Sequence, residues 1–288
     1  MSELKTETGK KLKVILVGSE KRENIEQAIN EVVPVIERLA HLVLVDKKEE
    51  MDLSKAVADL IILFGGDGSL LNIARRLNGN PTPVLGVNFG KFGFLAEYEF
   101  QEFLSDLQSI LKGEFEITDR MLLSIGIHRA GKQIFSGVAL NDLVISRSHF
   151  SRIIQVSLEI NHQYCTRYLV DGLIISSPSG STAHSLSAGG PIIHPALHTL
   201  VITPICPHTM TVRPLVVPGD YKLKLTLVGK SDTVAATIDG QILQELIIGD
   251  IVEITASKQN FKLVLSGRRT FYDRLRKKLH WSGHNTLD

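Results

Sequence analysis

Asp59-Leu-Ile-Ile-Leu-Phe-Gly-Gly-Asp-Gly-Ser69 runs from a compact apolar stretch straight into a glycine turn, and Leu-Leu-Asn-Ile-Ala-Arg-Arg-Leu follows at helical spacing. An unbroken apolar run of this length suits a strand buried on both faces. Upstream, LKVILVG at 12–18 and HLVLV at 41–45 repeat the pattern, and between them Ile25, Ala28, Ile29, Val32, Val35 and Ile36 recur at helical intervals. Downstream, TPVLGVN at 82–88 gives a further strand, and the segment after it leads into an amphipathic helix ending at Gly113. Strands alternating with helices predict a parallel sheet covered on both faces.

From about Glu116 the texture changes to short runs such as MLLSIGIHR, IIQVSLEIN, YKLKLTLVG and FKLVLSG, separated by Gly, Asn, Asp and Ser, which predicts an all-β region. The expected organisation is therefore an α/β domain over 1–115, a β domain over 116–267, and a helical tail over 268–288 that packs back on the first domain. The basic cluster in that tail, Arg268, Arg269, Arg274, Arg276, Lys277 and Lys278, reads as a solvated helix face.

Lys and Arg total 32 against 31 acidic residues, so the global positive charge typical of nucleic-acid binding is lacking and an anionic ligand must be met locally. Cys165 and Cys206 are far apart and fit neither a metal site nor a disulfide framework. No stretch approaches the ~20 apolar residues of a membrane span, and the polar start MSELKTETGKK does not resemble a signal peptide. The expectation is a cytoplasmic protein without nucleic-acid or membrane partners.

The turn Gly65-Gly66-Asp67-Gly68-Ser69 sits between a strand and a helix, where glycines let backbone N–H groups approach a phosphate and the helix N-terminus favours negative charge. A carboxylate beside phosphates repels them unless it serves a metal or takes a proton, and both are kinase roles. The alternative is that Asp67 caps the helix. No Lys follows the glycines as in a Walker A loop, and the GxGxxG fingerprint is absent.

Taken with Gly86-Val-Asn-Phe-Gly-Lys-Phe-Gly-Phe-Leu95, Leu140-Asn-Asp-Leu-Val-Ile145, Asp171-Gly-Leu-Ile-Ile-Ser-Ser-Pro-Ser-Gly-Ser-Thr-Ala-His-Ser-Leu-Ser-Ala-Gly-Gly-Pro191 and Asp239-Gly240-Gln241, the chain resembles the NAD kinase family over nearly its whole length. The resemblance implies an N-terminal Rossmann-like α/β domain, a C-terminal β-sandwich and an NAD pocket between them, usually in a homodimer or homotetramer. It also implies transfer of the γ-phosphoryl of ATP to the 2′-hydroxyl of the adenosine ribose of NAD, with a divalent cation, Mg²⁺, on the ATP phosphates.

By the same resemblance Asp67 is the catalytic base, and Gly65, Gly66, Gly68 and Ser69 form the phosphate loop. Asn141 and Asp142 match the family's Asn-Glu pair, with the acid shortened by one methylene. Asp67, Gly68, Asp171, Thr182, Ala183, His184, Ser185, Leu186 and Ser187 match NAD-contacting positions, as do Arg152 and Gln241. His184 replaces a common Tyr, and its imidazole can still stack on adenine, over a smaller area. A sugar-phosphate or lipid kinase of the same GGDG group, or an NAD(P)-binding sensor that has lost its chemistry, are the rival readings.

Overall fold

The computed structural model describes residues 2–3, 11–90, 93–147, 153–229 and 234–281. The chain divides into two units, Met1–Asp119 with Lys262–Asp288, and Arg120–Phe261.

The first unit begins with β1 (Ser2–Glu3) and continues through β2 (Lys13–Gly18), α1 (Glu23–Leu39), β3 (His41–Asp46), β4 (Leu60–Phe64), α2 (Asp67–Leu77), β5 (Val84–Asn88), β6 (Tyr98–Glu99) and α3 (Phe100–Leu111). β3, β2, β4 and β5 pair in parallel in that order. Val14, Leu16, Leu60, Ile62, Phe64, Leu85 and Val87 pack with Ile25, Ile29, Val32 and Ile36 of α1 and Phe103 and Leu107 of α3. The alternate side chains Ile15, Val17, Ile61 and Leu63 are also buried. They face the other side of the sheet, as the two-residue period of a strand requires. Leu70 of α2 approaches Gly86 on that second side. Helices thus cover both faces, which is why these strands read as unbroken apolar runs.

The chain then enters β7 (Glu116–Arg129) and continues through β8 (Lys132–Ala139), β9 (Asp142–Arg147), β10 (Ile154–Ile160), β11 (Gln163–Val170) and β12 (Gly172–Ser176). A 3₁₀ turn (Gly180–Thr182) and the single turn α4 (His184–Ser187) follow, then β13 (Thr199–Ile205), β14 (Leu215–Pro218), β15 (Leu223–Val228), β16 (Val234–Ile238), β17 (Ile242–Leu246) and β18 (Ile251–Leu265). One antiparallel sheet has the order β14-β13-β12-β9-β16-β17. The other runs β11-β10-β15-β18, with β7 and β8 continuing it beyond β18. Leu143, Ile145, Leu173, Ile175, Leu200, Ile202 and Ala236 from the first share one core with Leu123, Ile125, Val156, Leu158, Leu225 and Val252 from the second. This is a β-sandwich, and β15 shows its logic directly by alternating buried and half-buried positions.

The end of β18 belongs to the first unit, where Leu263 pairs in parallel with Val84 of β5. The last helix, α5 (Phe271–Leu279), starts at a Thr270/Asp273 capping box. Its basic cluster is not simply solvated. Arg268 donates to Asp106 of α3 at 2.7 Å, Arg269 donates to Glu102 at 2.6 Å, and Arg274 is buried against Glu97. Arg276 and Lys277 do stay exposed.

Candidate active site

Phe64 ends β4, Gly66 is the N-cap of α2, and Asp67 is that helix's first residue. The Asp67 carboxylate does not cap its own helix. It turns instead toward the segment after β5: the Phe94 N–H donates to Oδ2 at 2.7 Å, while the Leu95 and Ala96 N–H groups donate to Oδ1 at 3.1 and 3.0 Å. A carboxylate offers about four acceptor positions, two per oxygen. Three amides therefore fix the group's orientation, fill Oδ1, and leave Oδ2 able to accept once more. The cradle depends on Gly93, since a Cβ there would lie 2.0 Å from Asp67 Oδ1. Asp67 is half-buried, Gly68 is exposed, and the amino end of the 11-residue helix favours anions at this place.

In the second unit, Asn141 and Asp142 lie at the start of β9, which begins at Asp142, and are held from two sides. Asp239, in the turn between β16 and β17, accepts from the N–H groups of Leu140, Asn141 and Asp142 at 3.0, 2.8 and 3.1 Å, and its own N–H donates to the Asp142 carbonyl at 2.9 Å. From the other side, the Ser177 N–H donates to the Asn141 carbonyl at 2.9 Å and the Ser177 hydroxyl to the Leu140 carbonyl at 2.5 Å. Gly180 lies so close that a Cβ would fall 2.0 Å from the Asn141 carbonyl oxygen. The His184 N–H donates to the Asp142 carboxyl. The serine-rich segment and the Asn-Asp pair, about 35 residues apart in sequence, are thus one construction.

Asp142 is only 5% exposed. Burial, and then the nearby Asp239 carboxylate, push its carboxyl up to about 7, against the opposing pull of the His184 N–H. Near neutral pH it exists in both forms, so it can donate to a sugar hydroxyl as well as accept from one.

The remaining expected residues differ in placement. His184 and Ser187 are exposed, and Thr182, Ala183 and Leu186 are half-buried. Ser185 is fully buried with its hydroxyl bonded to Thr203 at 2.8 Å, so it supports the loop from beneath rather than presenting itself to a ligand. Gln241 is exposed beside the Asp239 turn. Asp171 is not brought to the others: it pairs with Arg147 at 3.2 Å at the opposite end of β12, about 16 Å from Ser176 at the usual strand rise. Arg152 lies outside the described residues.

Asp239 and the Gly86–Leu95 stretch stand among the quoted motifs, but Asp239, Gly93 and the 94–96 amides are not among the expected site residues. Asp239 left a signal, an Asp before Gly in a turn between two strands, where Asp commonly bonds backbone. The amide cradle left none. Among the described residues no group of three or more His, Cys, Asp or Glu is placed to hold a metal, and no helix is long and apolar enough to cross a membrane.

The family model for the ATP-NAD kinase N-terminal domain matches residues 6–115, and that for the ATP-NAD kinase C-terminal domain matches 140–266. The chain is 45% identical over 224 residues to an NAD kinase of Geotalea daltonii, covering 78% of this chain and 79% of that one. It is 43% identical over 225 residues to an NAD kinase of Geobacter sulfurreducens, with 78% and 79% covered. Among solved structures, yeast NADH kinase complexed with NADH superposes with a TM-score of 0.84 at 21% identity, covering 98% of this chain and 91% of that one. An NAD kinase from Archaeoglobus fulgidus in complex with ATP gives 0.72 at 22% identity, covering 94% and 100%. At those identities the two structures speak to the fold.

Proposed function

The chain belongs to the NAD kinase family and is a phosphotransferase that converts NAD to NADP with ATP as donor, and from that premise we propose that Asp67 is its general base. Oδ2, which keeps one acceptor position, takes the proton of the adenosine 2′-hydroxyl. The freed oxygen attacks the γ-phosphorus in line, and ADP leaves. The amino end of α2, with Gly65, Gly66, Gly68 and Ser69, offsets phosphate charge. A divalent cation, which we take to be Mg²⁺, neutralises charge on the phosphates when bound. It suits this site as an ion carried mainly by phosphate and water oxygens, since such ions rarely use dedicated protein cages.

Asn141, Asp142, Thr182, Ala183, His184, Leu186, Ser187 and Gln241 contact the dinucleotide in this proposal, with Ser185 buttressing the loop and Arg152 near a phosphate. Asp171, the remaining expected contact, stands apart from these residues at the far end of β12, and the enzyme is taken to assemble as a homodimer or homotetramer. The enzyme is assigned to the cytoplasm.

The reading rests on one observation above the others: a carboxylate at an anion-favouring helix terminus, oriented by three amides, retains a single acceptor position. Replacing Asp67 by Asn is expected to lower kcat by about 100-fold or more, as loss of a general base does. NAD affinity by calorimetry should stay within a few-fold. Undiminished turnover in the folded variant would overturn the assignment.

A further inference from the structure

We infer that Arg274, from α5, is a positioning residue for phosphoryl transfer, acting through the segment that cradles Asp67. The inference rests on Asp67 being the base. Arg274 is 4% exposed and pairs with Glu97, itself 0% exposed. Its Nη1 also donates to the Phe94 carbonyl at 3.3 Å, and its Nη2 to the Arg269 carbonyl at 3.3 Å. Phe94 is consequently gripped at both ends of its backbone: its N–H holds Asp67 Oδ2 and its C=O is held by Arg274. Glu97 follows Ala96, the last of the three amide donors. One guanidinium thus holds the segment on both sides of the Leu95 and Ala96 donors, at the Phe94 carbonyl and at Glu97.

A buried ion pair contributes little net stability relative to an apolar pair of similar size, because both ions lose water on burial. What it does supply is direction. A planar guanidinium presents its donors in a rigid fork that fixes a carboxylate and a carbonyl in one relative orientation, whereas an ammonium's three donors share a single freely rotating nitrogen. The helix does not need this contact to dock: Arg268 and Arg269 already bond Asp106 and Glu102 of α3, and Leu275 is buried. Arg274 is the member of the basic cluster that reaches the cradle.

The test uses the full-length enzyme with Arg274→Lys, Arg274→Ala, and the apolar pair Arg274→Met with Glu97→Leu, beside Asp67→Asn. For every Arg274 variant that keeps a cooperative melt we expect kcat to fall by about 10- to 100-fold, the scale of a misplacement near 1 Å. KM for NAD and for ATP should move less than about three-fold, since neither Arg274 nor Glu97 is among the residues proposed to contact them. Millimolar guanidinium should partly restore kcat to Arg274→Ala but not to Arg274→Lys. Folded Arg274 variants with wild-type kcat, while Asp67→Asn is inactive, would overturn this inference alone. An active Asp67→Asn would overturn the general-base assignment beneath it. If Arg274→Ala fails to fold, the apolar pair decides: wild-type kcat there refutes the positioning role.

Discussion

Asp67 and Asp239 make the same bonding pattern in different units, each carboxylate accepting from three consecutive backbone N–H groups. Their surroundings are opposite. Asp67 is half-buried at the amino end of an 11-residue helix, while Asp239 is 6% exposed at a left-handed turn position, with φ of 50°, beside a second carboxyl. The comparison shows one device serving two ends. Near solvent it aims a carboxylate that can still act on a substrate. In the interior it spends the carboxylate on organising other residues. Each nest also leans on a glycine with no room for a methyl group, Gly93 in one case and Gly180 in the other.

Removing each carboxylate in turn should separate the two roles most clearly. Asp67→Ala should lower kcat by about 10²- to 10⁴-fold with a small change in thermal midpoint, because water can replace the acceptor at a half-exposed site. Asp239→Ala should act on stability instead: it strands buried N–H groups at about 1–3 kcal/mol each, visible as a lower urea midpoint. Where that variant still folds, KM for NAD should rise at least ten-fold, roughly the cost of losing a well-placed charged hydrogen bond, with kcat less affected. Similar effects from both variants would erase the distinction.

The glycines test the same contrast more gently. Gly93→Ala forces its Cβ onto the Asp67 carboxylate, so kcat should fall by about 10- to 100-fold at nearly constant KM for NAD. Gly180→Ala presses on the Asn141 carbonyl, so KM for NAD should rise more than kcat falls. Steady-state kinetics on the two single variants is enough to compare them.

How far the sequence announces all this depends on the range of the interaction. The parallel sheet, the change of texture near Glu116 and the glycine turn are written in local periodicity and turn residues, so they can be read directly. The Asp67 nest cannot, because its donors lie 27 to 29 residues away and are backbone groups that carry no side-chain signature. The same holds for Arg274, whose neighbours in sequence are a charged surface stripe and whose partner, Glu97, is 177 residues distant. A cluster of like charges gives no hint that one member turns inward. Asp171 is a subtler case: its motif is contiguous with the serine-rich segment, yet the intervening strand β12 carries the two to opposite ends.

The smallest expected effect is a matter of protons. Because the Asp142 carboxyl is raised to about 7 from an ordinary value of 3.8, the folded protein binds more protons than the unfolded chain between those values. Stability from this group is therefore full below about pH 4, declines as pH rises toward 7, and is flat above. Asp142→Asn, neutral at every pH, should gain relative to the parent enzyme as pH rises, with melting midpoints at pH 8 and pH 6 differing less in the variant by about 3–5 °C. An unchanged pH dependence would mean that Asp142 is not the group that titrates in this range.

Because Leu263 and α5 complete the first unit, translation cannot finish that unit until the whole sandwich has emerged from the ribosome. Until then Arg274 is not there to meet Glu97, and a fragment ending at residue 119 would expose the flank of β5 where Leu263 belongs. Nascent chains of this enzyme should consequently gain phosphoryl-transfer competence late and all at once, rather than domain by domain.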